Sequence, residues 1–199
     1  MLFSINYNYL TGIFPELLLA YRKGSFESSH WYEEYYRYDF EQRNASLQQG
    51  RDSFPVVVDL KQPIVKYTSY GYIGTQYIIT LLKALESHQA VTAIVLDIDS
   101  GGGMVSGTEE LASVIRSLQK PTVAYTGGCM CSAAYWIASA CDKVVAAPFA
   151  DAIGSIGTML SFQDFAPFLE KYGVKVHELY APESTEKNKW YRDLKEGNE

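Results

Sequence analysis

One serine and one run of glycines are the residues best suited, by type and position, to do chemistry. Ser132 stands at the predicted start of a helix, inside a run of small residues, and residues 101–103 are three glycines that directly follow a predicted buried strand. A serine hydroxyl at a helix N-terminus can act as a nucleophile, and glycine amides can approach and stabilise an oxyanion. The combination of the two motifs predicts acyl transfer.

Each motif taken alone has a simpler structural explanation. A serine in the first turn of a helix most often caps that helix, and a glycine turn can serve chain reversal alone. The glycine run is not a Walker loop, because no Gly-Lys-Ser/Thr follows it, and Ser106 stands where a GxGxxG motif needs its last glycine. The prediction of chemistry therefore depends on the two motifs occurring together.

A serine nucleophile needs a general base, and the residues leave its identity open. None of the three histidines, His30, His88 and His177, lies in a glycine-rich or small-residue segment, which disfavours a Ser-His-Asp triad. A lysine can serve instead if burial lowers its pKa. The candidates in the second half of the chain are Lys143, Lys171, Lys175, Lys187 and Lys189.

Strand and helix patterns alternate from residue 54 onward and supply the scaffold. The predicted strands are residues 55–60, 63–67, 91–98 (buried on both faces), 122–126, 143–147, 155–160 and 174–180. Helices are predicted at residues 76–88, 132–140 and 162–172, and Gly173 ends the last of these. A further helix begins with a Ser106–Glu109 capping box and continues through Leu118, and the tail of the chain is also predicted to be helical. This alternation predicts an α/β fold with largely parallel strand pairing.

Composition bounds the class of protein. A chain of 199 residues with 47% hydrophobic and 20% charged residues suits one globular domain of ordinary size. The net charge of −6 argues against a general nucleic-acid binder, which needs a surplus of Lys and Arg. Three cysteines without paired CxxC spacing suggest neither a disulfide framework nor a zinc site, so we expect a reducing compartment, no metal and no cofactor.

The first 53 residues differ in composition from the rest. They hold seven of the sixteen tyrosines, and we interpret residues 1–53 as an aromatic-rich, partly helical appendage to a catalytic domain at residues 54–199. The aromatic side chains either form a contact surface or pack the appendage onto its own core. The apolar segment from Leu10 to Tyr21 is too short for a membrane span and is interrupted by Pro15 and Glu16, so we expect no membrane anchor and no secretory signal.

A family resemblance is carried by five motifs in a fixed order. They are DIDSGGGMVSG, KPTVAY, CMCSAAYWIASACDKVVAAP, IGSIGTML and EKYGVKV. Between about residues 56 and 189 this succession resembles the signal peptide peptidase A (protease IV) family of serine peptidases, which includes the head-maturation proteases of tailed phages. The resemblance implies a ClpP/crotonase-like spiral of repeated strand-strand-helix units and an endopeptidase with a Ser/Lys dyad.

The resemblance also implies roles for single residues. Ser132 matches the nucleophile, and Gly102 and Gly103 match the glycine pair of the oxyanion hole, in which the Gly103 and Ala133 amides would be the donors. The family's Ser-Pro-Gly-Gly reads Ser-Gly-Gly-Gly here, and alanines replace the two glycines that follow the nucleophile.

The general base implied by the resemblance is Lys187, with Lys189 as the second choice. Ser155 matches a serine that orients the amine of that lysine. The segment around Lys187 departs most from the family pattern, because it contains an apparent insertion, APESTE. A lysine must be desolvated to be neutral near pH 7, so a closed or oligomeric active site is implied.

The leading hypothesis is a serine endopeptidase of the phage or prophage capsid-maturation type. It would bind a protein or peptide substrate as an extended strand, form a homo-oligomer, and work in the cytoplasm of a bacterial host, including inside assembling phage heads. The chain ends twelve residues after Lys187, so we expect that neighbouring subunits complete the site or that the chain is a truncated or autoprocessed form. The alternatives are a membrane-free quality-control protease similar to signal peptide peptidases, an inactive assembly module, and a crotonase-like acyl-CoA enzyme.

Overall fold

A computed structural model describes residues 28–69, 71–161 and 163–195. The chain divides into two compact units, Met1–Thr158 and Met159–Glu199. The Leu10 to Tyr21 segment and the first 27 residues of the predicted appendage lie outside the described residues. The boundary predicted between residues 53 and 54 stays a prediction.

The elements of the first unit alternate between strands and helices. In chain order they are α1 (Ser28–Gln48), β1 (Phe54–Leu60), α2 (Thr75–Ser87), β2 (Val91–Ile98), α3 (Thr108–Ser117), β3 (Thr122–Thr126), β4 (Cys129–Cys131), α4 (Ala133–Ala138), β5 (Lys143–Ala146) and β6 (Ala152–Gly154). The second unit contains α5 (Ala166–Lys171) and α6 (Lys189–Lys195). In the described residues, no helix has the length and apolar character that crossing a membrane requires.

All strand pairs between these elements are parallel. One sheet has the order β1-β2-β3-β5, and β4 pairs with β6 in a second, two-stranded sheet. The predicted α/β class with parallel pairing is confirmed. Because parallel strands end at one edge of the sheet, the loops that follow β2 and β3 meet there.

The core lies on one face of the four-stranded sheet. Val58 of β1 and Ile94 and Ile98 of β2 are fully buried, and the predicted face of α2, which includes Ile78 and Leu82, packs over them. The prediction that β2 is buried on both faces is wrong, since its burial alternates along the strand. The reason is charge: Asp97 faces the other side, where Arg43 and Lys61 pair with it.

Helix α1 covers the free edge of β1. A side chain every fourth residue packs toward the rest of the unit: Tyr32, Tyr36, Phe40 and Asn44. Asn44 is fully buried, and its side-chain amide bonds both backbone groups of Val57, at 2.9 Å to the carbonyl and 2.7 Å from the N–H. Tyr36 donates to the backbone carbonyl of Asp59 at 2.5 Å. The aromatic residues of α1 therefore pack onto the core of the first unit, which includes β1, instead of a separate core of the predicted appendage.

Three predicted strands are wrong. Residues 63–67 form single bridges, Ile64 to Gly103 and Val65 to Gly74, instead of a strand, and Pro63 has no N–H to extend the pairing. Residues 155–160 do not form a strand, because β6 ends at Gly154 and positive φ values at Gly154, Ser155 and Gly157 interrupt the extended backbone. Residues 174–180 contain no strand.

The predicted helix boundaries also need correction. Helix α3 begins after Gly107, whose φ of 89° lies in the left-handed region, and no side-chain cap is made, so the Ser106–Glu109 capping box is wrong. Helices α4 and α5 are shorter than predicted, since each spans only six residues. Gly173, with φ of 79°, follows the end of α5 as predicted, and its N–H donates to the Glu170 carbonyl at 2.9 Å.

Candidate active site

The two motifs singled out in the sequence meet in the first unit. After β2, the Ser100 N–H donates to the Cys129 carbonyl at 2.8 Å, and the Cys131 N–H donates to the Ser100 carbonyl at 3.1 Å. These bonds bring the glycine turn against the start of α4. A Cβ atom added to Gly102 would lie 2.7 Å from the Ser132 Cβ, so only glycine fits beside the serine.

Ser132 has an unusual backbone conformation. Its φ is 53° and its ψ is −122°, a region that non-glycine residues adopt at a cost of about 1–3 kcal/mol. Its N–H donates to the Gly154 carbonyl at 2.8 Å, and its carbonyl accepts the Trp136 N–H at 2.9 Å. The capping explanation for this serine is wrong, because its hydroxyl makes no capping hydrogen bond at the start of α4. The side chain is thus available for chemistry.

Two backbone N–H groups near Ser132 are candidate hydrogen-bond donors to an oxyanion. The bridge to Ile64 uses the Gly102 carbonyl (2.9 Å) and the Met104 N–H (2.8 Å), which leaves the Gly103 N–H without a hydrogen bond among the described residues. The Ala133 N–H is the first of α4, where no intrahelical acceptor exists. The Gly102 N–H differs, since it donates to the Ser100 Oγ at 3.2 Å. The place of Gly102 in the oxyanion hole stays a prediction, and the close approach of its backbone to Ser132 requires a residue without a side chain.

A pocket of about 430 Å³ opens beside these groups. Its lining residues are Gly103, Val105, Ser132, Ala133, Tyr135, Trp136, Ser139, Ile156, Gly157 and Thr158. The sequence reasoning missed Tyr135, Trp136 and Ser139, although they stand three, four and seven residues after Ser132 and so share its helix face. That spacing was the signal that could have found them.

The remaining predicted site residues lie in two places. Ser155 directly follows Gly154, whose carbonyl holds the Ser132 N–H, and has a positive φ of 49°. Lys187 belongs to the second unit and is exposed, and its backbone carbonyl accepts from Arg192 at 3.0 Å. Lys189 pairs with Glu186 at 3.5 Å. The roles of Ser155 and Lys187 stay predictions.

The cysteines near the site are poor competitors for Ser132. Burial, and then the neighbouring Asp151 and Asp99, raise the pKa of Cys129, which keeps its thiol protonated at neutral pH. The Cys131 thiol donates to the Ala152 carbonyl at 3.5 Å. Among the described residues no group of His, Cys, Asp and Glu side chains is arranged to hold a metal ion.

The chain is similar in sequence to two families of peptidases. Residues 115–198 match the sequence model of peptidase family S49, and residues 60–153 match that of Clp protease. The resemblance to the signal peptide peptidase A family is confirmed. The Clp protease match includes β2, the glycine turn and Ser132, and it agrees with the predicted ClpP-like fold.

Three curated relatives illustrate the range of similar proteins. Head-tail preconnector protein GP5 of Enterobacteria phage P21 is 35% identical over 113 residues, which are 56% of this chain and 22% of that protein. Capsid assembly protease C of Escherichia phage lambda is 34% identical over 113 residues, 56% of this chain and 26% of that protein. Protease 4 of Haemophilus influenzae is 30% identical over 104 residues, 51% of this chain and 17% of that protein. The chain thus spans at most about a quarter of the length of these relatives.

Proposed function

We propose that this protein is a serine endopeptidase in which Ser132 is the nucleophile. The observation that carries the proposal is the environment of Ser132. The residue has a strained backbone at the start of α4, and its hydroxyl does not cap the helix. It lines a pocket together with Gly103 and Ala133, whose backbone N–H groups have no acceptor among the described residues. Strained backbone at the nucleophile is a recurrent feature of hydrolases that use a serine at a strand-to-helix turn.

The proposed reaction has two stages. Ser132 Oγ attacks the carbonyl carbon of the scissile peptide bond while Lys187 accepts the hydroxyl proton. Because Lys187 is exposed in the single chain, this step requires that a neighbouring subunit desolvate the lysine in the proposed oligomer. The Gly103 and Ala133 amides donate to the oxyanion. Lysine then donates that proton to the leaving amine, and an acyl-enzyme remains. Water, deprotonated by the same lysine, hydrolyses the ester and releases Ser132. Ser155 is proposed to hold the lysine amine in position.

The proposed biological role is capsid maturation in a phage or prophage. It is supported by the similarity to the phage lambda capsid assembly protease and to the phage P21 preconnector protein. A homo-oligomer that binds its substrate as an extended strand, in the cytoplasm of the host, belongs to the same proposal. A quality-control peptidase similar to Protease 4 is the alternative within the same chemistry.

Labelling with a fluorophosphonate tests the nucleophile. Wild type should be labelled once, at Ser132, and should cleave its own chain or an added protein. Ser132→Ala should lose labelling and cleavage, while Ser106→Ala, which changes an exposed serine after the glycine turn, should keep both. A wild-type protein that is neither labelled nor proteolytic refutes the peptidase, and thioester turnover in its place would favour an acyl-CoA enzyme.

Two lysine variants test the general base. Lys187→Ala should abolish cleavage, whereas Lys189→Ala should retain it, because the Lys189 ammonium already pairs with Glu186. Loss of cleavage in Lys189→Ala with full activity in Lys187→Ala would move the base to Lys189. Full activity in both variants would refute the proposed dyad.

A further inference from the structure

A tryptophan in the pocket beside Ser132 is held by a carboxylate from a different helix. Trp136 lies in α4 and lines the pocket, and its indole Nε1 donates to Glu109 Oε2 at 2.9 Å. Glu109 lies in the first turn of α3, which packs against α4. The orientation of the indole ring is therefore set from outside the helix that carries it.

Glu109 is itself fixed by two neighbours on α3. Its Oε1 accepts from the Ser113 hydroxyl at 2.8 Å and from the Arg116 guanidinium. The hydrogen bond from Ser113 is the largest of the effects that lower the pKa of Glu109, and Arg116 and Trp136 act in the same direction. At neutral pH the carboxylate is thus ionised and able to accept the indole N–H.

The rest of the pocket wall is mostly apolar. Val105, Tyr135 and Ile156 line it together with Trp136, and the volume of about 430 Å³ exceeds that of a single large side chain. An indole ring held in one orientation offers a large apolar contact at a low cost in conformational entropy, because nothing has to be ordered when the ligand binds.

We propose that Glu109 is a positioning residue, which fixes Trp136 as one wall of a subsite for a large apolar side chain next to the scissile bond. This inference rests on the proposed peptidase function, because it takes Ser132 as the reacting atom of the same pocket. Glu109 does not touch the substrate. It acts through the indole ring, so its loss should change substrate preference more than the chemical step.

The test compares peptides that differ only at the residue on the acyl side of a bond that wild type cleaves, with leucine or phenylalanine against alanine. Glu109→Ala and Trp136→Phe should each lower the ratio of kcat/KM for the large over the small side chain by about 3- to 10-fold, mainly through KM. Glu109→Gln should retain the ratio, since its amide oxygen still accepts the indole N–H. The double variant Glu109→Ala/Trp136→Phe should lose little more than either single variant.

Glu110→Ala is the matched control. Glu110 is the next residue of α3, and its carboxylate binds Lys66 and Gln76 instead of the pocket tryptophan. This variant should keep the wild-type ratio. A similar drop in Glu110→Ala would overturn the proposal, because the effect would then follow from loss of any acidic residue on α3.

The failures of the two proposals are distinguishable. If Ser132 is labelled by a fluorophosphonate and peptides are cleaved, but the ratio is unchanged in folded Glu109→Ala and Trp136→Phe, only the positioning role is overturned. If wild type is neither labelled nor active, the peptidase function fails and the subsite fails with it. Thermal unfolding of each variant checks that it is folded, and Trp136→Phe, which keeps a ring in place, covers the case in which Glu109→Ala is unstable.

Discussion

Gly102→Ala is the substitution that most directly tests how Ser132, the proposed nucleophile, is held in position. Gly102 has a φ of 105°, and an added Cβ would lie 2.7 Å from the Ser132 Cβ and 2.9 Å from the Cys131 carbonyl oxygen. Neither contact involves the end of a flexible side chain. The strain can be relieved only by moving the glycine turn, the start of α4, or both.

Two costs add up in this variant. An alanine in a backbone region that favours glycine costs about 1–3 kcal/mol. Overpacking against a rigid neighbour costs about 1–3 kcal/mol. We therefore expect a loss of about 2–6 kcal/mol in the free energy of unfolding, a large part of the roughly 5–15 kcal/mol that stabilises a domain. A displacement of the serine by about 1 Å should also slow its reaction about 100-fold.

The assays are urea unfolding and the rate of fluorophosphonate labelling at Ser132. Gly101→Ala is the matched control, because an added Cβ there meets no atom within 4 Å and its φ lies outside the glycine-favouring region. That variant should label at the wild-type rate and be stabilised by about 0.4–1 kcal/mol through the entropy of the unfolded chain. Equal damage from both substitutions would refute the steric reasoning, and so would normal stability and labelling in Gly102→Ala.

Three further predictions concern stability and reactivity. Asn44→Ala should lower the free energy of unfolding by about 2–3 kcal/mol, because the N–H and the carbonyl of Val57 each lose their hydrogen-bond partner. An unchanged urea midpoint would contradict this prediction. The Thr122 amide and hydroxyl lower the pKa of Asp142, so the stability from this carboxylate is present above its ordinary pKa of 3.8 and is lost as the pH falls through the lower folded value. Urea midpoints between pH 2.5 and about 6 should therefore fall less in Asp142→Asn than in wild type. Burial raises the pKa of Cys141 to about 12, so a thiol reagent at about pH 8 should modify this cysteine only after the protein unfolds. Rapid modification of the native protein would contradict this prediction.

The parts of the fold that sequence patterns predicted correctly are those governed by local periodicity. The β-branched run at residues 91–98 forms β2, and the apolar spacing from Ile78 to Leu85 forms the buried face of α2. Residues 155–160 also contain apolar residues but form no strand, because positive φ values at Ser155 and Gly157 interrupt the extended backbone. Hydrophobicity carries no information about those backbone angles.

In the candidate site, too, the sequence predicted the features that depend on neighbouring residues and missed those that join distant ones. Small residues around Ser132 and the three glycines predicted the candidate nucleophile and the turn that lies against it, because both depend on residue size at adjacent positions. The Glu109–Trp136 hydrogen bond joins residues 27 positions apart on two helices, so no local pattern encodes it. The hydrogen bonds from Asn44 to Val57 at the edge of β1 were missed for the same reason. In sequence, a buried asparagine in a polar helix cannot be distinguished from an asparagine on the surface.

The strain at Ser132 persists because three separate elements determine its position. The pairing of β4 with β6 sets Cys131 opposite Gly154, which places the Gly154 carbonyl at the Ser132 N–H. The first turn of α4 takes the Ser132 carbonyl through the Trp136 N–H, and Gly102 closes the remaining side. Every backbone group of the serine is thus engaged, and the energy of these bonds offsets the unfavourable φ. Because both backbone groups of Ser132 are bonded in this way, the hydroxyl is not needed for capping. A rigid position for the proposed nucleophile follows from the same contacts that join β4, β6 and α4.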